Sequence, residues 1–465
     1  RINRECKLMS GIMMQLLGTA GGLSAGANFV LSKPSNNTGW SDMQTTNAIK
    51  TDSQNNVYWL MGGQDGGLVK VDLDGTAVFD TRLEVYGSSP YNIQGLAIDS
   101  QDRAHIRGVY PPNNEDNVFL ECINGSTGAA DYRMTFTDKE YSNGSGARKY
   151  DIAGSDQLAI DANDKLYFAS GENSGSSSKR VISWQATAGS SSYTFNKSSS
   201  ISGSNVSNDP YVIGVGIVAS TGHQIAHYGN GRNEFVLLRQ NLSDSEASSE
   251  KSAYQVSSGV TNTMYVTHID SSGNFYGLKQ QSSDTDATVV KWNISGTKQW
   301  ETKLTKNTSY ISRVIIYPGA ITTDDDGNVY CNITVEKNNR WRPMAVKLNS
   351  SGTLQWINGV EYSQTTDMRA NAIHVDKTGN YYLGTGQNPV TCSKLPVAGN
   401  LTGTFSLWQY NITYSTDAWV TASSTSAYSN LGNATDGMGE YFTYRGSGGG
   451  ADRLSFDPPR KDTLT

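Results

Sequence analysis

Three groups of residues in this chain have the chemistry to bind a metal or act on a substrate: scattered Asp clusters, five histidines and four cysteines. The densest carboxylate group is Asp324-Asp325-Asp326-Gly327-Asn328, a set of hard oxygen donors that invites a calcium reading. An EF-hand loop would need Asp-x-Asp-x-Asp-Gly followed six places later by Glu, and that Glu is missing, so a plain turn is expected. His268 and His374 stand in equivalent places just before two such Asp turns, where they could line a shared surface. Two histidines on separate repeats do not make a metal site. His223 and His227 have the i, i+4 spacing that binds metal on a helix, but they lie in a strand pattern, where that spacing only puts them on one face. Cys6, Cys122, Cys331 and Cys392 are far apart and form no metal-binding or redox pair; Cys122 and Cys331 sit inside strand patterns and read as buried thiols. The chain has no Gly-x-Ser-x-Gly elbow, no His-Glu-x-x-His and no phosphate-cradling Gly-x-x-x-x-Gly-Lys-Ser/Thr. No catalytic, metal-ligating or cofactor-binding residue is therefore assigned, and no cofactor is expected.

The Asp clusters belong to a repeat. An apolar pair leads into Asp-x-x-Gly-Asn and then into an aromatic or β-branched pair, with anchors at 52, 99, 161, 219, 270, 324 and 376. The copies at Asp270, Asp324 and Asp376 are the sharpest, and the one at 219 is degenerate. In each copy a β-branched strand enters, Asp caps the turn through its side chain, Gly supplies a positive φ, and an alternating strand leaves. A second hairpin follows, clearest in Val289-Val290-Lys291-Trp292-Asn293 to Gly296 and Trp300, and in Ala345-Val346-Lys347-Leu348-Asn349 to Gly352 and Trp356. Two hairpins make four strands in about 50 residues, which is the size of a propeller blade. Phe79, Trp300 and Trp356, each following a second turn, are expected to pack between neighbouring blades. The fold expected is all-β: a seven-bladed β-propeller over residues 28–421, an N-terminal anchoring arm over 1–27 and a Gly/Ser-rich C-terminal tail over 422–465.

Composition agrees. With 48 Gly, 25 Tyr, 9 Trp and 17% charged residues, the chain reads as a turn-rich all-β protein with polar solvent faces. A net charge of −6 with no basic stripe argues against a nucleic-acid partner. Asn28-Phe29-Val30-Leu31 either gives an outer strand to the seventh blade or belongs to the arm; closure is expected, because it removes an exposed sheet edge.

The repeat phrase and its Lys-Leu-Asn-x-x-Gly-x-x-x-Trp hairpin resemble bacterial propeller repeats of the SBBP and NHL-like type over residues 48–405, best over 264–385. They look less like the quinone-dependent dehydrogenase propellers. The resemblance implies architecture and carries over no catalytic residue.

The ends carry the functional expectation. Residues 1–27 combine Arg1, Arg4 and Lys7 with a short apolar run, Leu8 to Leu17, and small residues, a pattern like a secretory signal peptide. Ten apolar residues are too few to span a bilayer. The reading adopted is an arm that buries Ile12, Met13, Met14, Leu16 and Leu17 against another subunit. The polar tail has little to bury alone, so something is expected to hold it. The arm leading into such blades resembles virion proteins of marine and cyanobacterial bacteriophages. That resemblance implies a non-enzymatic tail or tail-fibre protein located in the virion. Its partners would be other virion subunits, through residues 1–27 and the tail, and a host-surface glycan met by Tyr, Trp, Asn and Ser on blade-top loops. The alternatives are a secreted or cell-surface bacterial propeller binding glycan or protein, and a polysaccharide lyase or hydrolase.

Overall fold

In a computed structural model of the chain, the structure describes residues 13–17, 28–33, 48–61, 67–83, 92–110, 117–138, 158–173, 179–202, 211–218, 223–229, 235–241, 252–255, 264–280, 285–307, 311–316, 321–362, 367–386, 390–396, 398–407, 410–417, 419–425, 430, 432–433, 442–445 and 454–455. Every regular element among them is a β-strand. They pair into seven antiparallel sheets. Sheet 1 holds Ala48–Thr51, Val57–Met61, Gly67–Val71 and Ala77–Arg82. Sheet 2 is built on Asn92–Ile98, Ala104–Tyr110, Asn117–Ile123 and Ala130–Asp138, and sheet 3 on Leu158–Ile160, Lys165–Asn173, Lys179–Ala188 and Tyr193–Ser202. Sheet 4 is built on Tyr211–Val218, His223–Gly229, Phe235–Asn241 and Ser252–Gln255. Sheet 5 is built on Met264–Ile269, Phe275–Gln280, Asp286–Trp292 and Lys298–Lys306. Sheet 6 has an interrupted first strand, Ile311–Ile315 with Ile321–Thr323, before Val329–Lys337, Arg340–Leu348 and Leu354–Tyr362. Sheet 7 holds Arg369–Val375, Tyr381–Gly386 and Val390–Leu395.

The first strand of each sheet touches the first strand of the next, and Arg369–Val375 touches Ala48–Thr51. This cyclic order of antiparallel sheets makes the fold a β-propeller. The ring closes through the N-terminal strand Asn28–Lys33, which pairs with Val390–Leu395 as the fourth strand of sheet 7. Its side chains alternate between two cores. Phe29 and Leu31 pack with Ile49, Trp59 and Val69 of sheet 1, whereas Val30 packs with Tyr330 and Val360 of sheet 6. Each such burial is worth on the order of 1.5–3 kcal/mol, so the closing strand is held on both faces.

At the degenerate copy, Tyr211–Val218 and His223–Gly229 pair as antiparallel neighbours on either side of position 219, which itself lies outside the described residues. The repeated Asp is a structural cap. In Asp376, Oδ1 accepts from the backbone N–H of Thr378 and Asn380 at 2.9 Å each, and Oδ2 accepts from Asn380 Nδ2 at 2.9 Å and Tyr382 OH at 3.0 Å. Asp270 with Asn274 and Tyr276, and Asp324 with Asn328 and Tyr330, repeat that arrangement. The Lys of the third strand lies over the same Tyr ring, Lys291 on Tyr276 and Lys347 on Tyr330. Burial first, and the neighbouring carboxylate second, push these phenols well above their ordinary range. Tyr382→Phe, which leaves Asp376 Oδ2 one donor short, is expected to cost about 1–2 kcal/mol in urea unfolding.

The second turns dock the blades on one another. At Gly352 (φ +82°) a Cβ would lie 2.8 Å from the Trp300 ring of the preceding sheet, and at Gly399 (φ +61°) 2.2 Å from Trp356. Thr302 Oγ1 donates to the Gly352 carbonyl at 2.6 Å, and Asn358 Nδ2 to that of Gly399 at 3.2 Å. Phe79 and Thr81 meet Gly128 in the same way between sheets 1 and 2. The expected packing of Phe79, Trp300 and Trp356 between blades is therefore present.

Described strands near both ends of the chain add to the four-stranded units. Met13–Leu17 pairs with Asn28–Lys33 as a fifth strand of sheet 7. After Gly403–Leu407, which pairs with Tyr410–Ser415, the C-terminal part adds outer strands in reverse order round the ring. Tyr410–Ser415 joins sheet 6, Val420–Ser424 sheet 5, Gly432–Asn433 sheet 4, Phe442–Arg445 sheet 3 and Leu454–Ser455 sheet 2. Where described, residues on either side of the boundaries at 27/28 and 421/422 thus pair within the propeller's own sheets. The rest of residues 1–27 and of the tail, Ile12 among them, lies outside the described residues.

Candidate functional site

The two ends of the propeller differ. Where they are described, the first and second turns of a sheet share one end; in sheet 6 the hairpin between the second and third strands lies at the other, some nine residues or about 30 Å away.

At the turn end, the candidate groups are occupied by the fold. His268 Nε2 lies 3.0 Å from Thr323 Oγ1, and His374 Nε2 lies 3.1 Å from Thr51 Oγ1, so each histidine joins its sheet to the next. Asp102 and Asp164, both at positive φ, take the backbone N–H and hydroxyl of Ser53 and Ser100 respectively, at 2.7–2.9 Å. Asp324 spends both oxygens on its own turn, with Lys347 Nζ 3.9 Å away. Its neighbours Asp325 and Asp326 are exposed. The turn reading holds there, and among the described residues no cluster of three or more His, Cys, Asp or Glu is placed to hold a metal. His223 and His227 lie on one strand of sheet 4, and their side chains are outside the description.

Sheet 2 departs from the repeat in a way the motif search passed over. Four and six residues after Asp99 stand Arg103 and His105, in place of Asn and Tyr. Asp99 Oδ2 accepts from Arg103 Nε at 2.7 Å and faces His105 Nε2 at 3.0 Å, while His105 Nδ1 lies 2.8 Å from Tyr193 OH. A carboxylate only accepts, so the Nε2 proton belongs on His105 and Nδ1 accepts from Tyr193 when the ring is neutral. Arg103 Nη1 and Tyr132 OH both donate to the Gly189 carbonyl, at 2.8 and 2.6 Å. A Tyr–His–Asp relay has the composition of a proton-transfer device, but Asp99 and His105 are fully buried and Tyr193 nearly so. It is an interblade lock. Burial alone would raise Asp99, but the bonds from His105 and Arg103 outweigh it and hold the carboxyl at about 2. A depressed carboxyl stabilises the fold fully above its ordinary range near 4 and loses that contribution as pH falls towards 2. The urea midpoint should therefore drop between pH 4 and 2, and less steeply in His105→Phe, which has one bond fewer to the carboxylate.

Cys122 and Cys331 are buried free thiols, as the strand pattern indicates, Cys392 is a third, and burial pushes Cys122 up to about 12. Cys6 lies outside the described residues.

At the opposite end, sheets 6 and 7 assemble a charged collar beside the half-buried Trp341. The Lys337–Arg340 hairpin turns on Asn338 and Asn339, at φ 53° and 59°, which a two-residue type I′ turn requires. Lys337 pairs with Glu361, and Arg313 with Glu336 at 3.6 Å. Asp367 Oδ1 accepts from the Trp341 N–H at 3.1 Å, and Arg342 Nη1 donates to the Trp341 carbonyl at 3.0 Å. Burial lowers Arg342, against the opposing pull of Glu361 and Asp367. Trp341, directly opposite Glu336 across the hairpin, offers a flat apolar plate with a carboxylate beside it, while its strand neighbours Arg340 and Arg342 belong to the other face. The blade-top loops expected to carry Tyr, Trp, Asn and Ser otherwise lie largely outside the described residues. No described helix is long and apolar enough to cross a membrane, which says nothing of a β-barrel.

No protein-family model and no curated protein sequence matches the chain. Among solved structures, it is similar to the WD40 β-propeller domain of Doa1, at 12% identity over 76% of this chain and 95% of that one, with a TM-score of 0.39. It is also similar to the polysaccharide lyase Uly1, at 10% identity over 75% of this chain and 89% of that one, TM-score 0.38. The β-propeller domain of Vanderwaltozyma polyspora Nup133 matches at 9% identity over 82% of this chain and 99% of that one, TM-score 0.42.

Proposed function

We propose that this chain is a non-enzymatic, seven-bladed propeller that serves as a binding component of a larger assembly, a tail or tail-fibre protein of a phage virion, with its loop-bearing face turned towards a host-surface glycan. The observation that carries the reading is the contrast between the two ends of the propeller. The recurring carboxylates and histidines described at the turn end are spent on caps and blade contacts. The other end holds the half-buried Trp341, opposite Glu336 and with its backbone N–H bonded to Asp367, on a hairpin whose Arg342 is set among Glu361, Asp367 and Arg340. An aromatic plate with planar hydrogen-bonding groups suits a sugar ring, which has an apolar face and a polar edge. Residues 1–27 and the tail remain the parts proposed to meet other virion subunits, along surfaces that their strand pairing in the sheets leaves open.

Two experiments test this. Imaging of native particles should find copies with rotational symmetry on a virion; a free monomer in the source would overturn the assembly reading. A glycan array should give saccharide binding that Trp341→Ala weakens by about tenfold or more, the usual loss for a stacking aromatic in a pocket. Binding unchanged in that variant would move recognition away from the collar, and saccharide cleavage would replace the binding reading with an enzymatic one.

A further inference from the structure

The hairpin of sheet 6 carries a charge arrangement that the fold itself does not use. Lys337 and Arg340 stand directly opposite each other across the Asn338-Asn339 turn, and Arg342 lies two residues further along the same face. Like charges directly opposite on paired strands are destabilising. The carboxylates at this end are already engaged: Glu361 pairs with Lys337, Asp367 accepts from the Trp341 N–H, and Glu336 meets Arg313 and the Ser312 hydroxyl. The half-buried Arg340 side chain makes no ion pair and no hydrogen bond among the described residues. Arg342 beside it is 7% exposed: burial works against its charge, Glu361 and Asp367 support it, and Arg340 works against it. At this end of sheet 6 and the adjoining start of sheet 7, five cations (Arg313, Lys337, Arg340, Arg342 and Arg369) stand against the three carboxylates Glu336, Glu361 and Asp367, although the chain as a whole carries −6.

A half-buried cation set among cations is a cost that an anion removes, and a guanidinium presents a fork of N–H donors that fits a carboxylate or a sulfate. We propose that the tip of the sheet 6 hairpin is a subsite for the acid group of an anionic oligosaccharide, whose carboxylate or sulfate is held by Arg340 beside Lys337 and Arg342. The inference rests on the saccharide reading of this end and names the class of saccharide. Trp341 belongs to the opposite face of the same two-stranded ribbon, with Glu336. A single sugar ring does not reach both faces. The ligand is therefore an oligomer that crosses the tip over the exposed Asn338 and Asn339, with one ring against Trp341 and the acid group of another at Arg340. The two Asn amides supply donors and acceptors for the hydroxyls in between.

Binding of the full chain to three probes of similar length tests this: a carboxylated oligogalacturonate, a sulfated dextran oligomer and a neutral maltooligosaccharide. The acidic probes should bind, more weakly as salt rises, and their ranking tells carboxylate from sulfate. Arg340→Gln should weaken them about tenfold or more, the loss for a hydrogen bond to a charged group, and leave the neutral probe unchanged. Lys377→Gln, which removes the same charge from an exposed turn at the other end of the propeller, should change none of the three. The urea midpoint of Arg340→Gln should stay level or rise, because like-charge repulsion is removed; a lower midpoint would show that Arg340 holds the fold and would overturn the proposal. Acidic and neutral probes bound equally, and both weakened by Trp341→Ala, would overturn the acid subsite and leave the saccharide reading standing. Binding of none of the three would remove both. An equal loss in Lys377→Gln, or a single-stranded oligonucleotide bound as tightly as the acidic probes, would overturn it in favour of unspecific attraction of polyanions.

Discussion

Trp419→Ala is expected to destabilise the protein by about 3–5 kcal/mol, the range for deleting a buried tryptophan, and to release the C-terminal belt before the propeller itself unfolds. Trp419 sits where the chain leaves sheet 6 for sheet 5, and its side chain is 1% exposed. The ring is seated on Gly359, where a Cβ would come within 2.5 Å of it, and Lys337 Nζ lies over its face at 4.6 Å. Its carbonyl accepts from the Asn307 N–H at 2.8 Å, tying the belt to the end of sheet 5. The strands beyond it, Val420–Ser424, Gly432–Asn433, Phe442–Arg445 and Leu454–Ser455, have between two and five residues each. Pairings that short hold only because the chain is already delivered to the edge. Hydrogen exchange should therefore show Val420–Ser424 losing protection in the variant while Tyr381–Gly386, in the closing sheet, keeps it. Equal loss in both strands would mean that the belt and the propeller unfold as one unit.

Gly399→Val is expected to cost about 3–5 kcal/mol, seen as a lower urea midpoint. Two effects add. The backbone at φ +61° is strained for any side chain and most for a β-branched one. The new Cβ would also stand 2.2 Å from Cδ2 of Trp356, an inner atom of the indole rather than a movable tip. Trp356 has little room to retreat, since its ring packs 5.0 Å from that of Tyr381. Gly399→Ala should cost less but still destabilise. A neutral result for both variants would show that the turn carbonyl bonded to Asn358, and not the fit of ring on glycine, joins sheet 6 to sheet 7.

Much of this architecture is legible along the chain because the forces that write it are local. Asp at the first turn position, Gly or Asn at the left-handed position and an aromatic pair afterwards all act within six residues. The spacing of the Asp anchors therefore located the hairpins, including the degenerate one at 219. The closing role of Asn28–Lys33 followed from the cost of an open edge. The Lys of the third strand and the Tyr six residues after Asp were visible as types, but their stacking on each other depends on the register of two paired strands, which sets Tyr276 opposite Lys291 and Tyr330 opposite Lys347. The Arg103–His105 substitution in sheet 2 was equally readable as a departure from the repeat. Its meaning came only with Tyr193 and Gly189, contributed by the next sheet.

The sequence by itself determined the repeated four-stranded unit and its turn chemistry, because those rest on side chains speaking to their own backbone. Only the tertiary structure decided that the histidines and carboxylates of the turns are spent on blade contacts, and that Met13–Leu17, Asn28–Lys33 and the described strands between Tyr410 and Ser455 are built into the sheets as outer strands. Pairings such as Val420 with Lys306 and Phe442 with Ile201 join residues more than a hundred positions apart through backbone groups that every residue carries, so they leave no periodic mark in the sequence.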